Sequence, residues 1–276
     1  MNPPEMPAAG STPDWFDAVH AGEFPAAWEA ILQQHLPVFR LLPEADRSEL
    51  RSYIRWFLAS KVFEGGGGMV ITDEIRVLIA AQACLLLLHR ETPCYQHLRL
   101  IRVYPGAELA VSSAETIGGE SWESGVVLLT WDSVRYGAAN PFDGDNLVLH
   151  EFAHQLDYEE GQTDGTPLLA RGMAPAEKMG AYIAWAKMLS EEYEQFRRSL
   201  DRGDKTVMDS YGATDQAEFF AVATECFFEK PKQLVKKHPA LYEALKQFYK
   251  QDPAAWLVSH PPTIQQGDAN VNWSTA

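Results

Sequence analysis

The sequence of 276 residues predicts an α+β fold: one mostly helical domain with a small sheet beside a central helix. Three observations predict it. Most segments repeat apolar residues every three to four positions, the helical period. Only Leu98 to Tyr104 and Val126 to Trp131 read as strands of any length. The stretch from Leu147 to Leu156 carries H-E-x-x-H among the apolar Leu147, Val148, Leu149, Phe152 and Leu156, which marks a buried helix.

Taken in order, residues 1–14 are rich in Pro, Ala and Gly and are expected to be disordered. From Trp15 the pattern is helical through Trp28, Ile31, Leu32, Leu36, Phe39 and Leu42, until Pro43 breaks it. A second helix runs through Leu50, Ile54, Phe57 and Leu58. Gly65 to Gly68 is a flexible turn that lacks the Lys-Ser/Thr ending of a phosphate-binding loop. Val70 and Ile71 suggest a short strand. Thr72 reads as a helix N-cap, with Asp73 and Glu74 complementing the dipole of the first turn. The helix after it is apolar nearly all round and is expected to reach about Arg90, as a core helix.

The two strand candidates follow, with a turn at Gly118 to Trp122 between them. A sheet edge beside a metal-binding helix can pair with an extended peptide, although an ordinary core sheet explains either strand equally well. Asn140 to Asn146 is a loop, and the motif helix after it is expected to end near Gly161. Residues 159–175 read as loop. A long helix spans about Ala176 to Leu200 and is closed by Gly203. Another runs from Asp215 to Glu229 and stops at Pro231. The last starts at Pro239 and ends near Lys250. The expected domain is therefore 15–255, with a tail over 256–276.

Composition sets bounds. A hydrophobic content of 46% supports a real core. A net charge of -15 argues against binding to nucleic acid or to anionic membrane surfaces. Cys84, Cys94 and Cys226 are odd in number and include no C-x-x-C, so neither a disulfide framework nor a thiolate metal site is indicated. The start lacks a basic, then apolar, leader, and the apolar run Val77 to Leu88 is too short to span a bilayer. A cytoplasmic location is expected.

The chemistry sits in the motif. His150 and His154 are four residues apart, about one helical turn, so both imidazoles rise from one face and can converge on one ion. Glu151, one step around, can take a proton from water beside that ion. H-E-x-x-H is expected by chance in on the order of 0.02 chains of this His and Glu content. The alternative is a pair of histidines bridged to carboxylates without metal. A third ligand is needed, and the H-x-x-G-x-x-H continuation is missing, because Asp157 and Glu160 stand at those positions. A downstream carboxylate is the better candidate. Glu218 and Glu225 are seven residues apart on one helix face, and spacing alone leaves both open; Asp209 and Asp215 are weaker options. Asp215 and Glu218 also have capping-box spacing, which needs no metal. Tyr211 could donate a hydrogen bond to an oxyanion or could simply pack. Asp157 or Glu225 could orient a ligand imidazole.

Several longer strings point further: FLASK from Phe57, ITDEIRVLIAAQAC from Ile71, Asn146 through Asp157, and Tyr211 with AEFFAV from Ala217. On these, covering roughly residues 25–250, the chain resembles the Mlc titration factor A family of zinc-dependent peptidases. The resemblance implies a zincin-like domain with His150, His154 and Glu218 as zinc ligands, Glu151 as catalytic base and Tyr211 as catalytic tyrosine. It implies aminopeptidase-type hydrolysis of peptides. It also implies binding of the glucose-responsive repressor Mlc, and through it an effect on sugar phosphotransferase genes. The acidic, Pro-rich start and the segment after Trp256 depart from the family pattern.

Overall fold

The computed structural model describes residues 23–90, 95–106, 125–169 and 174–259. The expected disordered start, the turn at Gly118 to Trp122 and the tail from 261 onward lie outside them. The fold is α+β and mostly helical. It begins with α1 (Ala26–His35), α2 (Pro37–Leu41) and α3 (Glu44–Ser60), then β1 (Val62–Gly65) and α4 (Asp73–Leu85). Strands β2 (Leu100–Tyr104) and β3 (Val126–Thr130) lead into α5 (Trp131–Ala139) and the motif helix α6 (Leu147–Asp157). The rest is helical: α7 (Pro175–Asp201), α8 (Gln216–Glu229), α9 (Pro231–Lys237), α10 (Pro239–Tyr249) and α11 (Pro253–Ser259).

Helix α4 is the hub of the core. Thr72 caps it as expected, its Oγ1 accepting the Ile75 N–H at 3.3 Å. Every residue from Val77 to Leu85 is buried, and α1, α3, α5 and α6 pack around it. The helix stops at Leu85 rather than near Arg90. The chain turns after it, and His89 takes a left-handed conformation with φ 63°.

The sheet differs from expectation in one strand and in its topology. Val70 and Ile71 are not a strand; β1 forms earlier, at Val62–Gly65, ending on the first of the four glycines. All three strands are parallel, in the order β1-β2-β3. Ile101, Val103, Val127 and Leu129 face the core. On the opposite face Glu64 stands across from Arg102 and pairs with it at 2.9 Å. Trp131, expected to end a strand, opens α5 instead. Pro231 both ends α8 and opens α9, because proline suits the first helical turn.

Helix α6 lies against α8, α4 and the sheet. Phe152 on its inner face meets the rings of Phe57 and Tyr95 at 5.7 and 4.9 Å. Phe219 and Phe220 of α8 pack on Phe196 and Trp185 of α7. Among the described residues no helix is long and apolar enough to cross a membrane.

Candidate metal centre

The motif helix is capped by Asn146, whose Oδ1 accepts the Leu149 N–H at 3.0 Å. That start places His150 and His154 one turn apart on the face turned toward α8. Their Nε2 atoms lie 3.3 Å from each other. Oε2 of Glu218 lies 3.0 Å from the first and 3.4 Å from the second. Three atoms bound to one tetrahedral ion at roughly 2.0–2.1 Å are themselves about 3.3 Å apart. The triangle formed by His150, His154 and Glu218 therefore fits a divalent metal ion.

Spacing left Glu218 and Glu225 open, and the fold separates them. Glu218 faces both Nε2 atoms. Glu225, two turns on, reaches the other side of the first ring, its Oε1 2.9 Å from His150 Nδ1. A carboxylate there can hold the Nδ1 proton, which would free Nε2 to bind an ion in the triangle. Burial raises the Glu225 carboxyl above the ordinary glutamate value, against the pull of His150. Asp215 accepts the Glu218 N–H at 2.9 Å. The capping role is thus real, but it uses the Glu218 backbone and leaves the carboxylate for the triangle. Asp209 is a turn cap as well, accepting the Tyr211 N–H at 2.8 Å.

The electrostatics agree with the geometry. Burial alone would lower the His150 imidazole; Glu218 and Glu225 outweigh it and raise it to about 10. Burial would raise Glu218, yet the hydrogen bonds from His150 and His154 bring it down to about 2. Both shifts mark a place where buried groups favour positive charge.

Tyr211 sits on a 3-10 turn, Ser210–Ala213, and is 55% exposed as a residue. Its hydroxyl donates to Glu218 Oε1 at 3.4 Å. The turn is held by the Thr214 hydroxyl on the Tyr211 carbonyl at 2.7 Å and by the Tyr193 hydroxyl on the Ala213 carbonyl at 2.9 Å. Glu151 and Tyr211 line one cleft of about 640 Å³, with Asp143, Asp145 and Met208 on its walls. All five expected site residues are thus neighbours of one centre. Asp157 is not a partner of a ligand ring: it accepts the Gly165 N–H at 2.7 Å and holds the following loop. Asn146 and Glu229 went unnoticed in the sequence. The signals were there, an N-cap asparagine before an apolar helix and a glutamate one turn past Glu225.

Fold and triangle together define the class: a helical α+β domain with an H-E-x-x-H helix and a carboxylate placed so that the three groups could hold a metal ion. The profile of the glucose-regulated metallo-peptidase M90 family matches residues 14–250, and the chain belongs to that family. An uncharacterised protein of Synechocystis sp. is 37% identical over 257 residues, covering 87% of this chain and 91% of its own. Mlc titration factor A of Serratia proteamaculans is 31% identical over 247 residues, covering 84% and 89%. Its counterpart in Yersinia enterocolitica is 29% identical over 251 residues, covering 85% and 89%.

Proposed function

We propose that the chain is a zinc-dependent peptidase of aminopeptidase type, cleaving peptides in the cleft beside His150. The observation that carries this reading is the triangle of His150, His154 and Glu218 beside a cleft that Glu151 lines. Two imidazoles and a carboxylate suit zinc, and they leave a coordination position for solvent. When bound, zinc supplies a Lewis acid that makes water acidic near neutral pH. Glu151 then accepts the water proton on its carboxylate and returns it to the leaving amine nitrogen. Tyr211 donates its hydroxyl hydrogen to the oxygen on which negative charge develops. Glu225 keeps His150 in one tautomer throughout.

The test is Glu151→Gln. The variant should retain one equivalent of zinc and lose peptide hydrolysis by about 10²- to 10⁴-fold. Unchanged turnover rules out the assigned base, and purified protein without zinc rules out the centre.

A second reading rests on the name of the relatives. Proteins called Mlc titration factor A are 31% and 29% identical to this chain over most of its length. A cytoplasmic protein that binds a Mlc-like repressor, with zinc serving structure, would act without hydrolysis. Capture of a DNA-binding repressor by both the natural chain and Glu151→Gln supports this second role. Capture by neither removes it.

A further inference from the structure

Asn146 does more than cap the motif helix. Its backbone N–H donates to Glu225 Oε2 at 2.5 Å, on the carboxylate whose other oxygen meets His150. Its side-chain Nδ2 donates twice, to Gln82 Oε1 at 2.9 Å and to Glu229 Oε1 at 3.0 Å. Glu229 in turn accepts the Gly144 N–H at 2.9 Å, fixing the loop that enters the helix. Gln82 is itself oriented, its Nε2 donating to the Leu78 carbonyl at 3.1 Å. Asn146, Gln82 and Glu229 are all buried. One side chain therefore joins α4, α6 and α8 through polar groups that water does not reach, where an unmade hydrogen bond is costly.

The fourth wall of this pocket is a glycine. A Cβ on Gly137 of α5 would sit 2.8 Å from Asn146 Cγ. Close packing and hydrogen bonding together leave the asparagine one position.

We propose that Asn146, held by Gln82, Glu229 and Gly137, is the positioning residue for the metal centre. It sets α6 against α8 so that the Glu225 carboxylate meets His150 Nδ1 and the Nε2 atom faces Glu218. The inference rests on the metal-site reading above. It deepens that reading by assigning ligand orientation to residues that touch neither the ion nor the substrate.

Two variants test it from opposite sides. Asn146→Ser keeps a capping oxygen for Leu149 but cannot reach Gln82 and Glu229 together. Gly137→Ala changes no polar or titratable group, favours helix locally, and presses most closely on Asn146. Zinc affinity is measured by competition with a chromogenic chelator, and the visible bands of the cobalt-loaded protein report ligand geometry. Both variants should bind zinc roughly 10- to 100-fold more weakly, with shifted cobalt bands. A residue needed only for the cap would leave Asn146→Ser with natural affinity and spectrum. If the natural chain binds zinc and both variants match it, the positioning role is overturned while the peptidase reading stands. If Asn146→Ser does not fold, the Gly137→Ala result decides alone. A natural chain that takes up no zinc overturns both readings.

Discussion

At the scale of single residues, the instructive case is Asp157. It lies on the face and spacing that a ligand-orienting carboxylate would occupy, yet it serves the loop after the helix. Its Oδ2 takes the Gly165 N–H, while its Oδ1 is buried without a hydrogen-bond partner among the described residues. Burial pushes the carboxyl from the ordinary 3.8 up to about 7, against the pull of the Gly165 N–H. The folded chain thus holds this proton more tightly than the unfolded one. The stability this confers is fully present below about pH 4 and is lost as pH rises toward 7. Asp157→Asn keeps an acceptor for Gly165 and has no proton to lose. The melting temperature of this variant relative to the natural protein should therefore rise between pH 4 and 7, then level off. A difference that stays constant over that range would place the titration elsewhere.

Residue identity was legible where chemistry is written in spacing. His150, Glu151 and His154 follow from one helical turn. Glu218 and Glu225 could not be separated that way, since seven residues give a shared face but not the height at which the facing helix crosses. That height depends on contacts between residues 68 apart in the chain.

At the scale of elements, punctuation was the best guide. Thr72, Pro239 and the glycine at 203 act as expected. The failures have physical causes. Strand β1 has only four residues, ends in glycine and gains its partners from β2, so nothing local announces it. Strands β2 and β3 are readable one by one, but their parallel pairing is set by contacts between them and not by either local pattern. The loop after the motif helix shows how one element positions another. Gly165 has φ 80°, its carbonyl accepts the Trp185 indole N–H at 2.8 Å, and a Cβ there would stand 2.5 Å from the Gln216 carbonyl. Gln216 opens α8, two residues before Glu218. Gly165→Ala should cost about 1–2 kcal/mol for the left-handed backbone alone. The clash then displaces the start of α8. A melting temperature several degrees lower together with weaker zinc binding is the expected result, and an unchanged melting curve would contradict it.

At the scale of the molecule, fold class and the centre of the core were readable because apolar periodicity reports burial directly. The parallel order of the sheet was not, because strand order is decided by contacts far apart in sequence. The same distance governs how the centre comes together. One corner of the triangle comes from α8, the other two from α6, and Asn146 and Gly165 tie these helices at opposite ends. Few of these contacts are local, so an encounter between the three donor atoms belongs late in folding. Zinc should then act as a latch on departure instead of a guide on arrival. Added zinc should slow unfolding in denaturant jumps while leaving the refolding rate nearly unchanged. Faster refolding with zinc would mean that the two helices meet early, before the core around α4 has closed.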